Sequence, residues 1–185
     1  MNILGKKVML RAIELTDAEK LHTWANDPHL WELLGGWHFP SSLESTRAWI
    51  TNLPKDYLNQ RFAIELAGSG LVGTANLVEI DWKNRNAFHG MMLGDTNQRG
   101  KGLGTDTIYA LMRYAFEELG LQRLDTTIIE YNTASIHTYT KCGWQIEGTN
   151  RNFYFRKNQF WNRLVLGITR EDYFTLCTES NYWNS

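Results

Sequence analysis

The chain has little of what staples, interrupts or anchors a fold. Its two cysteines, Cys142 and Cys177, make neither a metal-ligand spacing nor a disulfide framework, which fits a reducing compartment and no bound metal. Three prolines occur, Pro28, Pro40 and Pro54, each alone, and no Pro/Ser-rich tract or internal repeat marks a linker. The 185 residues therefore read as one domain spanning 1–185. No apolar run approaches the roughly 18 residues of a membrane span, so no membrane partner is expected. The start, Met1 to Arg11, lacks the apolar stretch of a secretory leader, and the expected location is cytoplasmic. A net charge of −1, with no basic stripe carrying interleaved aromatics, argues against nucleic acid as the main partner.

Aromatics, by contrast, are plentiful. Of eight tryptophans, Trp31, Trp37, Trp82 and Trp161 fall in segments that read as loops or turns, where rings line a cleft or cover an interface. The most informative stretch is Arg99 to Gly104, R-G-K-G-L-G, between the apolar run Met91-Met92-Leu93 and a helix-period segment starting near Thr105. A glycine-rich turn from strand to helix N-terminus holds phosphate: unsatisfied N–H groups point outward and the helix dipole favours an anion. Glycines permit close approach of the main chain, while Arg99 and Lys101 add mobile positive charge. Two familiar phosphate loops fail here. A P-loop would need Lys-Ser/Thr after Gly102, and a dinucleotide fingerprint would need a glycine at Thr105.

The rest of the chain reads as alternating elements. Val8 to Arg11 forms a first strand, and Thr16-Asp17-Ala18-Glu19 is a capping box for a helix reaching about Asn26. His29 to Pro40 suits a loop or short irregular helix; Ser41-Ser42-Leu43-Glu44 is a second capping box, for a helix ending before Pro54. Strands follow at Phe62–Leu66, Leu71–Ile80 and Ala87–Gly94. Ile108, Leu111, Met112, Ala115, Phe116 and Leu119 recur at helix spacing, closed by Gly120. Leu124, Thr126 and Ile128 alternate as a strand, and Asn132 or Thr133 caps a short helix that Gly143 closes. Trp144 to Gly148 reads as a short strand, and Asn152–Arg156 with Phe160–Thr169 as a hairpin around Lys157-Asn158. The aromatic run Tyr173 to Trp183 suits either a neighbouring copy or the chain's own sheet, leaving a homodimer open. The sum is a mixed α/β layout, a twisted, largely antiparallel sheet flanked by helices.

Arg99, Gly102 and Gly104 fill the spacing Arg/Gln-x-x-Gly-x-Gly/Ala, which resembles the coenzyme A pyrophosphate loop of the GNAT N-acetyltransferase superfamily. Downstream, Asn132, Ile136, Tyr139 and Gly143-Trp144 resemble that superfamily's second signature, in the expected order. Leu10-Arg11, Glu44 to Ile50, and Glu147-Gly148 near Arg151 look like the branch of ribosomal-protein and spermidine acetyltransferases. Asn158 to Asn162, N-Q-F-W-N, departs from it, standing where a Gly-aromatic-x-Asp turn is usual. The resemblance implies the GNAT-type acyl-CoA N-acyltransferase fold, acetyl-CoA as co-substrate, and transfer to a primary amine by direct attack.

It also assigns roles. Arg99, Gly100, Lys101, Gly102, Leu103, Gly104 and Thr105 would hold the pyrophosphate. The backbones of Met91, Met92 and Leu93, on a strand splayed from its neighbour, would bind pantetheine and the oxyanion. Asn132 would offer an amide to the pantetheine arm, and Tyr139 would protonate the departing thiolate. A phenol near pKa 10 giving its proton to a thiolate near 8.5 is modestly uphill, so the geometry must be close. His89 stands where many family members carry Glu and is the candidate base, since an imidazole titrates near neutrality; Glu79 and Asp81 are alternatives. For the acceptor, Trp31, Glu32, Trp37 and Glu79 are candidate contacts. Glu14, Asp17, Glu19, Asp27 and Glu32 with only Lys20 make an acidic field suited to a basic amine: a polyamine, an amino sugar or aminoglycoside, or a peptide N-terminus. A catalytically silent acetyl-CoA sensor or assembly module of the same fold is the competing reading, and a longer acyl donor would use the same loop.

Overall fold

A computed structural model describes residues 1–36 and 39–184. Its strands are β1 (Ile3–Leu4), β2 (Val8–Ala12), β3 (Gln60–Leu66), β4 (Gly70–Asp81), β5 (Asn86–Leu93), β6 (Arg123–Ile129), β7 (Gln145–Arg156) and β8 (Gln159–Thr169). The α-helices are α1 (Ala18–Ala25), α2 (Pro28–Leu33), α3 (Leu43–Asn52), α4 (Leu103–Arg113), α5 (Thr133–Lys141) and α6 (Arg170–Ser180). One eight-stranded sheet runs β1-β2-β3-β4-β5-β6-β8-β7. All its pairings are antiparallel except β5–β6, which α4 connects as a crossover. This is the mixed, largely antiparallel layout expected from the sequence.

Side-chain alternation divides the core between the two sheet faces. Ile64, Ala75, Leu77 and Leu124 pack on one face with Ile108, Leu111, Met112 and Phe116 of the α4 segment. Burying each such aliphatic or aromatic side chain is worth about 1.5–3 kcal/mol, and α4 carries a dense row of them. On the other face Ala63, Leu71 and Met92 pack with Leu21, Trp24, Leu30 and Ile50 from α1–α3.

Several boundaries differ from the sequence reading. The first capping box sits two residues earlier: Asp17 accepts the Glu14 N–H at 2.9 Å, around a short 3₁₀ turn, Leu15–Asp17, before α1. Asp17 is bound there because Arg11 pairs with it at 2.8 Å. The α3 cap is Ser42, whose hydroxyl accepts from the Ser45 N–H at 3.0 Å; Ser41 is instead tied to Asn26. The α4 segment continues through a π-type turn, Tyr114–Glu118. The expected short strand and hairpin arm are one strand, β7, whose register shifts near Ile146–Gly148 and Asn150–Tyr154 break its alternation. Lys157 and Asn158 form the β7–β8 turn, both at positive φ (50° and 58°), the backbone of a tight hairpin.

The terminal aromatic run folds back on its own domain. Tyr173 is fully buried, Tyr182 stacks on Tyr109 with ring centroids 3.8 Å apart, and the Arg113 guanidinium lies 3.8 Å over Trp183.

Candidate active site

The site begins where β5 and β6 part. They pair only at Asn86–Arg123, Ala87–Leu124 and Phe88–Asp125, and beyond Phe88 the two strands diverge. A cleft of about 1180 Å³ opens there, running from the Arg99–Thr105 loop past Met91, Leu93 and Tyr139 to a wall formed by α1–α3 and the β7–β8 hairpin.

At the loop end, Gly100 and Gly102 hold left-handed φ values of 74° and 78°. Gly102 is the α4 N-cap and supplies no side chain, so the first helical N–H to find a main-chain acceptor is that of Asp106, to Gly102 at 3.1 Å. The amides of Leu103, Gly104 and Thr105 are thus left for a ligand. The helix end is fixed from behind. Asp106, 1% exposed, accepts the N–H groups of Lys6, Lys7 and Val8 at 2.8, 2.7 and 2.9 Å and the Tyr182 hydroxyl at 2.5 Å. The same contact brings Lys7 Nζ, from the bend between β1 and β2, to the Lys101 carbonyl at 2.9 Å, a further cation at the loop that sequence spacing did not reveal. Lys101 itself donates to Gln98 at 2.9 Å and does not line the cleft.

Backbone groups of β5 alternate between its two neighbours. The Met92 carbonyl faces β4 so closely that a Cβ on Gly73 would lie 2.1 Å from it, and the Gly94 N–H reaches Val72 at 3.1 Å. The main-chain groups of Met91 and Leu93 therefore face the opening left by β6. The Leu93 carbonyl already accepts from Arg99 at 3.1 Å. Of the three backbone positions expected from sequence, Met91 and Leu93 point to the gap and Met92 to β4.

Tyr139, from α5, lines the gap together with Thr126 of β6. Its ring packs edge-on to Trp144 at 5.1 Å. Burial holds the phenol well above its ordinary pKa, so it stays a neutral proton donor. Asn132 is occupied: its Oδ1 caps α5 by accepting the Ser135 N–H at 3.2 Å, and its Nδ2 reaches Leu33 at 3.4 Å. Cys142 is buried and its thiol is pushed up to about 12, so it presents no thiolate at neutral pH.

The structure does not bring His89 to the cleft. It shares the core face with Met91 and Leu93, is fully buried, and lies between the rings of Tyr139 and Trp144 at 5.6 and 5.7 Å. Its Nδ1–H donates to the Asn76 carbonyl at 3.0 Å, and burial pushes the imidazole down to about 4. Glu79 sits exposed at the outer end of β4 with φ 53°, its N–H held by Asn59 at 3.0 Å. Asp81 caps the next turn, accepting the Asn84 N–H at 2.9 Å. Neither lines the cleft.

The acceptor contacts also fall elsewhere. The Trp31 indole donates to the Ala25 carbonyl at 2.6 Å, and Glu32 pairs with Lys157 at 3.0 Å, both outside the cleft wall. Trp37 lies outside the described residues. The acidic field is spent locally: Asp17 on Arg11, Glu19 on Arg47 at 3.0 Å, Asp27 on the His29 N–H at 2.8 Å as the α2 cap. The residues that wall the α1–α3 end of the cleft include Thr46, Trp49, Arg61, Asn76, Phe153 and Arg163. Sequence reading passed these over because each is an unremarkable strand or helix residue until β3, β4 and β7 are aligned.

A parallel strand pair that splays beside the unpaired amides of a helix N-terminus is the feature that sets this sheet apart. Residues 7–145 match the family model of the acetyltransferase (GNAT) domain, and the chain belongs to that family; it is an N-acetyltransferase. It is 29% identical to the SPbeta prophage-derived uncharacterized N-acetyltransferase YokL of Bacillus subtilis, over 91% of this chain and 93% of that one. To the spermidine N(1)-acetyltransferase of Escherichia coli it is 27% identical, over 90% and 88%. The fold is shared with spermidine N-acetyltransferase from Vibrio cholerae, solved in complex with CoA and spermine: TM-score 0.84, 23% identity, covering 91% of this chain and 98% of that one.

Proposed function

We propose that this enzyme uses acetyl-CoA and moves the acetyl group to a primary amine by direct attack. The observation that carries the reading is the end of β5–β6 pairing at Phe88–Asp125, directly above unpaired amides at the α4 N-terminus. The amides of Leu103, Gly104 and Thr105, with Arg99 and Lys7 nearby, hold the diphosphate. The main-chain N–H groups of Met91 and Leu93 bind the pantetheine and receive the oxyanion as the thioester carbonyl becomes tetrahedral. The amine attacks that carbon, the tetrahedral intermediate collapses, and the Tyr139 hydroxyl gives its proton to the departing sulfur. No cysteine lines the cleft among the described residues, which favours direct transfer over an acyl-enzyme. With His89 enclosed and neutral, the amine loses its proton to water in the open cleft.

Thiol release from acetyl-CoA over a panel of primary amines tests this. Turnover that falls with Tyr139→Phe while CoA affinity holds is the expected result; no binding of CoA at millimolar concentration would overturn it.

A further inference from the structure

The acceptor end of the cleft carries a charge pattern that deepens this reading and rests on it. Among the described residues, the lining of the whole cleft contains four cations, Arg61, Arg99, Lys141 and Arg163, and no carboxylate. Two of these serve the cofactor end: Arg99 lies in the glycine loop and Lys141 closes α5. Arg163, on β8, is committed to Asn150 at 3.0 Å and lies 3.5 Å over the Phe153 ring. Arg61 is different. It is half-buried on β3, on the α1–α3 face, and makes no hydrogen bond or ion pair among the described residues.

Burying a guanidinium without a partner is costly, and desolvation lowers its pKa. Asp56 acts on it only through space, with its own carboxylate bound to Asn59 at 2.9 Å and to the Leu58 N–H at 3.2 Å. The strand register places Arg61 beside Asn76, and Asn76 beside Gly90, in one row across β3, β4 and β5. The Oδ1 of Asn76 is buried and unpartnered, and a Cβ at Gly90 would press on the Asn76 amide at 3.2 Å. A five-donor cation thus stands next to a lone acceptor, one residue from the backbone that would receive the oxyanion.

A polyamine would meet this wall with like charge. We infer that the acceptor is an amine whose molecule also carries an oxyanion, a carboxylate or a phosphate, with the anion held by the Arg61 guanidinium and an amine N–H directed to Asn76 Oδ1. The planar guanidinium fork matches two oxygens of either anion.

The test compares matched acceptors on the intact protein: glycine, β-alanine and leucine against their amides, O-phosphoethanolamine against ethanolamine, and spermidine. Amidation lowers the amine pKa and so favours the uncharged partner, which biases the comparison against the inference. The expected result is at least ten-fold higher kcat/KM for an anionic member than for its neutral twin and for spermidine. The carboxylate and phosphate arms then identify the anion. Arg61→Gln should remove the preference, a loss of about 10–100-fold for the anionic substrate, with CoA affinity unchanged. Arg61→Lys should keep part of it, and Asn76→Glu, which offers Arg61 an internal partner, should erase it without removing the arginine. Equal or better turnover of amides or spermidine would overturn the inference, as would an anion preference that survives Arg61→Gln. If CoA binds but no amine is acetylated, the proposed transfer fails and the anion site is judged alone. N-acetylated amino acids should then bind the CoA-loaded protein at least ten-fold more tightly than their amides, and equal binding would overturn it.

Discussion

His89 turns burial into a pH-dependent stability that can be measured without substrate. In an unfolded chain the imidazole has its ordinary pKa of 6.5, and in the fold it is pushed down to about 4 because the fully enclosed ring cannot be solvated when charged. Between those values the unfolded chain binds a proton that the native one does not, so stability rises with pH. The contribution is complete above about pH 6.5 and is lost as pH falls toward 4. At 1.36 kcal/mol per unit, the whole gap is worth about 3 kcal/mol, and about 2 kcal/mol is gone by pH 5. Urea unfolding at pH 8 and pH 5 reads this directly, as a fall in midpoint of about 1 M for a chain of this size. His89→Leu should be less stable at pH 8, since the Asn76 carbonyl loses the donor that sits 3.0 Å away. Its midpoint, however, should change much less between the two pH values. Asp17, Asp81 and Glu147, whose carboxyls are held below their usual range by hydrogen bonds, lose their contribution further into acid and do so equally in both proteins. A His89→Leu variant with the same pH 8-to-5 difference as the parent would refute the assignment of an enclosed, neutral imidazole.

Three further outcomes are expected. Tyr139→Phe should lower kcat about 10–100-fold with CoA affinity unchanged in calorimetry, the size of effect for one proton donor; equal kcat would mean that water protonates the sulfur. CoA at a hundred times its Kd should stabilise the protein by about 2.7 kcal/mol, a rise in Tm of roughly 5–10 °C, and a bulky Gly104→Val, which crowds Met91 where a Cβ already lies 3.1 Å from its side chain, should reduce that rise. Asp106→Ala should cost about 2–4 kcal/mol, because it removes the buried acceptor of the Lys6, Lys7 and Val8 N–H groups and of the Tyr182 hydroxyl, and the Val8 N–H lies buried; a Tm within 3 °C of the parent would show those groups re-solvated.

How much of this was legible in the sequence depends on the range of the interaction involved. The glycine turn before α4, the α5 cap and the Gly120 and Gly143 stops are local devices; the glycines turn where their spacing put them, and of the two cap candidates, Asn132 and Thr133, Asn132 takes the role. The capping boxes shifted because Asp17 and Ser41 have partners, Arg11 and Asn26, that spacing alone does not select. His89 looked like a base by position, yet it alternates with Ala87 and Met91 on the core side of β5, and apolar residues on both faces of that strand hid which side was which. Arg61 carried no sequence signal. An arginine in a strand is ordinary; it gains meaning only when the register sets it beside Asn76, half-buried and with no hydrogen bond or ion pair among the described residues.

The location of the site follows from the one exception in the sheet. Antiparallel neighbours can join by tight turns, as β3–β4 and β7–β8 do, but the parallel pair β5–β6 needs a crossover, and α4 supplies it. A crossover helix must start at the C-terminal end of the first strand, so its N-terminus and unpaired amides are delivered to the same edge at which β5 leaves β6. Ligands collect outside the carboxyl ends of parallel strands for this reason. Here the divergence after Phe88 extends that crevice through the sheet, joining the proposed diphosphate site at the α4 N-terminus to the α1–α3 side, where Arg61 lies. Re-pairing the strands would close both at once. A disulfide between cysteines placed at Met91 and Ile128, the pair on the core face that continuing the β5–β6 register would align, should abolish CoA binding and acetyl transfer together while raising Tm, and reduction should restore both. Transfer that persists in the oxidised protein would mean that the carrier does not pass between β5 and β6.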